Sequence, residues 1–165
     1  MMEKILIINT GGTFNKRYNP LKGELEVTQD GIAVESILQY CHNTAYELLN
    51  MIHKDSLEMT ESDRELIVKT VQSSKCHKIL IVHGTDTMDV TATFLALHVK
   101  DKIITLTGAM VPFSINTVEA TSNFMMALGD LMCREENGVN LAMHGAIASH
   151  GSIYKNRQKG IFELC

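Results

Sequence analysis

The stretch His83-Gly84-Thr85-Asp86-Thr87-Met88 decides how the rest of the chain is read. It follows Lys78-Ile79-Leu80-Ile81-Val82, a short apolar run rich in β-branched residues, as in strands buried on both faces of a parallel sheet. It precedes Val90 to His98, whose apolar spacing is helical. A strand that ends in glycine, two hydroxyls and a carboxylate before opening a helix sets polar groups at the carboxyl edge of a sheet. Open α/β sheets bind ligands at that edge. The competing reading is a plain turn in which Thr87 caps the helix.

The same pattern recurs on either side. Lys4 to Ile8 reads as a strand ending in Asn9-Thr10-Gly11-Gly12-Thr13. The polar segment from Asn15 to Asp30, holding Pro20 and Gly23, is either a mobile active-site loop or a short hairpin. Ile32, Ile37, Leu38 and Cys41 mark a helix with Asp30 as a candidate cap. Tyr46 to Ile52 is the second strand, with Glu47 and Asn50 as uncharacteristic members, and it ends in His53-Lys54-Asp55-Ser56. Thr60 with Asp63 is a helix-start signal, continued by Leu66, Val68 and Val71. Lys102 to Leu106 is the fourth strand, ending in Thr107-Gly108-Ala109-Met110, and Phe124, Met125, Leu128 and Leu131 form a helical face. Val139 to Met143 is the fifth strand; it ends in His144-Gly145, and the tail from Ala146 to Cys165 carries Tyr154, Lys155, Asn156 and Arg157. Five strand–helix units predict an α/β fold: a three-layer α/β/α sandwich around a mainly parallel sheet, in one domain spanning residues 1–165.

Composition narrows the function classes. The chain has 165 residues, 45% hydrophobic and 21% charged, which is the balance of a globular domain with a real core. Its formal net charge of −4, without a Lys/Arg cluster, argues against a nucleic-acid partner. No apolar run approaches the ~20 residues of a membrane span, and no signal-like segment precedes the first strand. A cytoplasmic protein with no membrane partner is the expectation. Cys41, Cys76, Cys133 and Cys165 are scattered without C-x-x-C spacing, so neither a zinc site nor a disulfide framework is indicated.

All the chemistry-bearing groups fall just after strands. These are Thr13 after the first, Asp55 and Ser56 after the second, Thr85 and Asp86 after the third, and Gly108-Ala109 after the fourth. There is no G-x-G-x-x-G and no G-x-x-x-x-G-K-[ST], so neither a dinucleotide fingerprint nor a P-loop is present. Hydroxyls, carboxylates and one lysine suit a small polar substrate and acyl transfer through a threonine nucleophile. His83, at a strand end, reads as a hydrogen-bonder to backbone, Glu119 as a residue favoured by a helix dipole, and His144 and His150 as unsuited to a metal site.

At these residues the sequence resembles a known family. Thr10-Gly11-Gly12-Thr13 and His83 to Met88 are similar to the two signature motifs of the bacterial-type L-asparaginases and related amidohydrolases. Asp55-Ser56-Leu57-Glu58-Met59-Thr60 resembles the family's substrate loop, and Gly108-Ala109-Met110-Val111-Pro112 its fourth strand end. The resemblance implies an asparaginase N-terminal-domain-like fold and hydrolysis of a small amide, most simply L-asparagine, to the acid and ammonia, with no cofactor and no metal. It makes Thr13 the nucleophile, Lys155 the group that activates a threonine hydroxyl, and Asp86 the residue that orients it. It also implies that Asp86 meets the substrate α-amino group and Ser56 its α-carboxylate. Gly12 and Thr85 would supply oxyanion-hole amides. Gly12, Asp55, Ser56, Gly84 and Ala109 are thus the expected substrate-contacting set, and Thr13, Tyr18, Thr85, Asp86 and Lys155 the catalytic one.

Three features depart from the family pattern. Leu25 falls near the place of the family's loop tyrosine, leaving Tyr18 as the substitute. Leu57 stands where many members have a polar residue, and the C-terminal domain of the full-length family is not in this chain. A lone domain without its usual cover is expected to form a homo-oligomer, a dimer or larger. A non-catalytic binder of an amino acid or amide is the alternative, and a subunit of a tRNA-dependent amidotransferase is a third reading.

Overall fold

The computed structural model describes residues 2–165. A six-stranded sheet forms its middle layer. The strands are β1 (Ile5–Gly11), β4 (Tyr46–Lys54), β5 (Lys78–Val82), β6 (Ile103–Thr107), β7 (Gly138–Met143) and β8 (Ala146–Ser149), in the order β4-β1-β5-β6-β7-β8. All neighbours pair in parallel except β7 with β8. β5 is buried because it lies between β1 and β6, with helices on both faces. Its side chains alternate between two cores: Ile79 and Ile81 join Leu6, Ile67, Val71, Ala92 and Leu95, while Leu80 and Val82 join Ile7, Val34, Phe124 and Leu128.

Helices α2 (Glu61–Ser73) and α3 (Met88–His98) therefore cover one face, and α1 (Ile32–Leu38) and α4 (Thr117–Cys133) the other. This is the three-layer arrangement expected from the sequence. α2 opens with the Thr60/Asp63 capping box, in which each side chain bonds the other residue's backbone N–H. Asp30 does not take the cap position of α1, but its Oδ1 accepts the Ile32 amide at 3.1 Å. Thr87 makes no capping hydrogen bond either; its hydroxyl donates to Ser56 O at 2.8 Å and accepts from Arg64 at 2.9 Å. It thus ties the start of α3 to the end of β4.

Three segments differ from the expected pattern. The polar stretch after β1 is a hairpin, β2 (Lys16–Asn19) with β3 (Glu24–Val27), rather than an unstructured loop. β4 runs two residues past Ile52, because its register against β1 jumps between Asn9↔Asn50 and Gly11↔Lys54. The extra residues are absorbed by left-handed backbone at Ile52 (φ 74°) and His53 (φ 54°), costly for a β-branched side chain and found chiefly where a strand must be re-aimed. Finally, no helix follows β7. His144 (φ 51°) and Gly145 (φ 81°) form a two-residue turn with both residues left-handed, which matches strand twist and reverses the chain into β8. A last hairpin, β9 (Ile153–Asn156) with β10 (Ile161–Leu164), seats Ile153 and Phe162 in the α2/α3 core.

The strand order fixes where a site can form. The connection from β1 leads to β4 on one side, and β5 lies on the other, so the carboxyl ends of β1 and β5 flank a topological switch point. There the backbones touch. A Cβ on Gly12 (φ 74°) would lie 2.5 Å from Gly84 Cα and 2.6 Å from Gly84 N. Backbone at that distance cannot give way, and the left-handed φ adds its own penalty. Gly12→Ala should therefore destabilise the fold by about 2 kcal/mol or more, read from urea unfolding midpoints. A change under about half a kcal/mol would show that the two strand ends are not held in contact.

Candidate active site

Hydrogen bonds lock the turn after β1 in place. Thr10 Oγ1 donates to Val82 O at 2.9 Å, stitching the ends of β1 and β5 together. Asn9 and Asn15 exchange side-chain hydrogen bonds of 2.9 and 2.7 Å, Asn9 also reaches Asn50 on β4 at 3.1 Å, and Asn15 donates to Gly11 O at 2.7 Å. Buried amides satisfied by each other hold a backbone rigidly. Thr13 stands on this turn, half-buried, and among the described residues its hydroxyl has no hydrogen-bond partner.

The loop after β4 sits beneath the loop after β5. Ser56 is buried, and its Oγ accepts from the amides of Asp86 at 3.1 Å and Thr87 at 3.2 Å. Gly84 is required for this approach, since a Cβ there would fall 2.6 Å from Ser56 Cβ. Asp55 caps the short turn Ser56–Glu58 through the Leu57 amide and pairs with Lys16 at 2.8 Å. Arg64 is buried and donates to Thr91, Thr87 and Met59 O, securing the same corner from below.

The cluster of Thr85, Asp86 and Lys155 is completed by the last hairpin. Lys155 on β9 places Nζ 2.9 Å from Thr85 Oγ1 and 2.8 Å from Asp86 Oδ1. The Asp86 carboxyl is held below the usual carboxylate range, chiefly by the Lys155 hydrogen bond and then by the Arg157 guanidinium, against the opposing effect of burial. Lys155 pairs directly across from Phe162, whose amide donates to His144 Nδ1 at 3.1 Å. That bond leaves the ring proton on Nε2, which donates to Glu119 Oε1 at 2.8 Å. Glu119 also accepts the amides of Met110 at 2.8 Å and Val111 at 2.9 Å. Its role is thus a strut between the end of β6 and the hairpin that carries Lys155, beyond any dipole effect.

The structure brings Thr13, Ser56, Gly12, Gly84, Thr85, Asp86 and Lys155 to one edge, and it separates others from that cluster. Tyr18 stands opposite Leu25 on the β2/β3 hairpin, 63% exposed and without a hydrogen bond among the described residues. The Ala109 side chain is buried in the α1/α4 core, so it can offer a ligand only backbone. The Gly12 amide donates to Lys54 O at 2.9 Å and is not free for an oxyanion. Ser56 does not line an open wall; it braces the loop that carries Asp86. Sequence reasoning missed Asn9, Asn15 and Asn50, the Glu119–His144 strut and Arg157. Only the close spacing of Arg157 to Lys155 was a signal; the other partners meet across different elements. Among the described residues, no three His, Cys, Asp or Glu side chains cluster as a metal would require. No helix among them is long and apolar enough to cross a membrane. An apolar cleft of about 640 Å³ lies between α1 and α4, lined by Ile37, Tyr40, Phe113 and Met125 among others, and none of the strand-end residues borders it.

His83 is wholly buried beneath the cluster, with Nδ1 2.7 Å from Gly84 O and Nε2 3.2 Å from Met59 Sδ. Burial lowers its pKa from the ordinary 6.5 to about 4. The unfolded chain takes up a proton below the ordinary value, and the folded chain refuses it until about pH 4. The neutral ring's stabilisation is thus complete above the ordinary value and declines as pH falls towards about 4, by roughly 3 kcal/mol. Urea unfolding at about pH 7 and about pH 4.5 should show that loss, and His83→Gln should make the pH dependence shallower.

Comparison with known proteins gives a consistent result. The family model described as "Asparaginase, N-terminal" matches residues 4–161. The chain is 26% identical over 137 residues to L-asparaginase 2 of Bacillus subtilis, covering 77% of this chain and 36% of that protein. It is 29% identical over 153 residues to a glutamyl-tRNA(Gln) amidotransferase subunit of Methanococcus vannielii, covering 88% of this chain and 35% of that protein. Its fold superposes on the thermostable L-asparaginase from Thermococcus kodakarensis with a TM-score of 0.85 at 22% identity, covering 98% of this chain and 51% of that one. A probable cytoplasmic L-asparaginase from Campylobacter jejuni gives 0.81 at 24% identity, covering 98% and 53%. The chain spans about a third of the length of these sequence relatives and about half that of these structural ones.

Proposed function

The chain belongs to the asparaginase family, and on that premise we propose that it is an amidohydrolase that cleaves the amide of L-asparagine or a close analogue through a threonine nucleophile. The observation that carries this reading is the contact of Lys155 Nζ with both Thr85 Oγ1 and Asp86 Oδ1, made across about 70 residues of sequence. A hydroxyl is inert near neutral pH unless a base stands beside it, and Lys155, an ammonium while it rests on Asp86, becomes that base by giving one proton to water before the attack. Asp86 orients that amine. Thr13, whose hydroxyl is uncommitted, attacks the amide carbonyl, and the Thr85–Lys155 pair moves the proton. The acyl-threonine formed is then released by water. Tyr18 rides on a hairpin whose neighbouring residue Lys16 already reaches Asp55, so closure of that hairpin would bring it towards the substrate. The substrate-facing groups in this reading are the Gly12–Thr13 turn, the Ser56 loop and the Gly84–Asp86 loop, with no cofactor and no metal. A cytoplasmic setting completes the proposal.

The exposure of Arg157 at the mouth of the cluster favours a second reading. In it the chain binds an amino acid or amide without turning it over, or acts as one part of a larger amidotransferase assembly. Release of ammonia from a panel of carboxamides separates these readings from the first. Under the hydrolase reading, Thr13→Ala abolishes turnover. Lys155→Met loses ~10²–10⁴-fold in kcat, because a base is removed while the volume is kept. Equal ammonia release by Thr13→Ala would move the chemistry to Thr85, and a mere twofold loss in Lys155→Met would reduce that lysine to a structural role.

Self-association belongs to the same proposal. The cluster opens to solvent along the strand-end edge, and a symmetric pairing of identical chains is the simplest way to cover it. Sedimentation at micromolar concentration should give a mass well above the 18.4 kDa of one chain. A clean monomer peak would overturn it.

A further inference from the structure

Asp86 faces more positive charge than it can balance. Its Oδ1 accepts from Lys155 Nζ at 2.8 Å and from Arg157 Nη1 at 2.7 Å, and Arg157 Nη2 donates to Asp86 O at 2.8 Å. The nearby Lys16–Asp55 pair is balanced within itself. One carboxylate therefore serves two cations, and the cluster carries a net positive charge.

Both cations keep unused donors. A guanidinium has five N–H groups, of which two are engaged here, and the Lys155 ammonium has three, of which two are engaged. The Arg157 side chain is 60% exposed, so its spare donors face solvent at the mouth of the cluster. A ligand carboxylate arriving there would meet a planar fork and an ammonium with hydrogen bonds to give. A ligand ammonium would meet the same two cations as like charges and would have to take Asp86 from Arg157. Beside Ser56, Leu57 is 72% exposed, and its side chain can neither donate to nor accept from a polar ligand.

We infer that this site takes carboxamides that bear a carboxylate but no free ammonium group, and that Arg157 is the residue that sets this preference. The inference rests on the hydrolase reading above and names the substrate class of the same site. Succinamate, which is asparagine without its amino group, is the simplest member, and N-acylated asparagine belongs to the same class. The reaction is a hydrolysis in two steps: the Thr13 oxygen bonds to the amide carbon, the C–N bond breaks and the nitrogen leaves as ammonia with the proton of the threonine hydroxyl; water then gives its hydroxyl to the acyl carbon and its proton back to the threonine oxygen as the ester C–O bond breaks.

The test compares succinamate with L-asparagine by ammonia release and, separately, compares the products succinate and L-aspartate by calorimetry. Wild-type protein should favour succinamate in kcat/KM by about tenfold or more. Arg157→Ala and Arg157→Gln should both bring that ratio close to one while the protein stays folded by thermal melting. Asparagine used as well as or better than succinamate by the wild type, or an unchanged ratio in both variants, overturns the inference. Should no amide be hydrolysed, the hydrolase reading fails and calorimetry decides alone. Tighter binding of succinate than aspartate, lost in both variants, upholds the preference. Equal binding, preference for aspartate, or no binding of either at millimolar concentration overturns it.

Discussion

The contact between Gly12 and Gly84 is the constraint on which the site depends. Two strand ends cross at backbone distance, and Ser56 closes on Gly84 from the third. No side chain fits at either glycine, so the loops after β1, β4 and β5 can only stack in one way. That stack brings the Thr13 turn up against the loop that carries Thr85. Hydroxyls on separate loops could otherwise drift by the ångström that decides whether a proton transfer is productive.

The parts around this stack are held by polar groups that satisfy one another. The Asn9–Asn15–Asn50 set locks the turn after β1, and Arg64 locks the corner where β4 meets α3. The strut from Glu119 through His144 to the Phe162 amide holds the last hairpin against the sheet. Lys155 lies across from Phe162, so its ammonium is positioned by residues with no contact to Thr85 or Asp86. Strain is concentrated in the same region. Ile52 and His53 adopt left-handed backbone so that β4 can deliver Asp55 and Ser56 to the edge.

Charge completes the arrangement. His83 is kept neutral by burial, so it adds no second cation beside Arg64 at the floor of the site. Above that floor, Lys155 and Arg157 converge on one carboxylate. The family match supports amide chemistry, and under the proposed function the charge around Asp86 would bear on which amide this edge receives.

The five parallel strands, the buried apolar runs of β1, β5 and β6 and the Thr60 capping box were legible in the sequence because each is a local pattern of period, branching or capping. The placement of Thr13, Asp55, Ser56, Thr85 and Asp86 at one edge was legible too, because parallel topology puts every strand's carboxyl end on the same side. The hairpin after β1, the bulge in β4 and the reversal at His144-Gly145 were not, since each depends on what the neighbouring strand allows. Ala109 and the Gly12 amide were expected to face a ligand, yet the folded chain places one in the core and commits the other to Lys54. The layers, and the edge where the polar groups collect, follow from local patterns along the chain. Which groups at that edge remain free depends on folding, because hydrogen-bond partners such as Glu119 with His144, or Arg157 with Asp86, are distant in the chain and meet only when it folds.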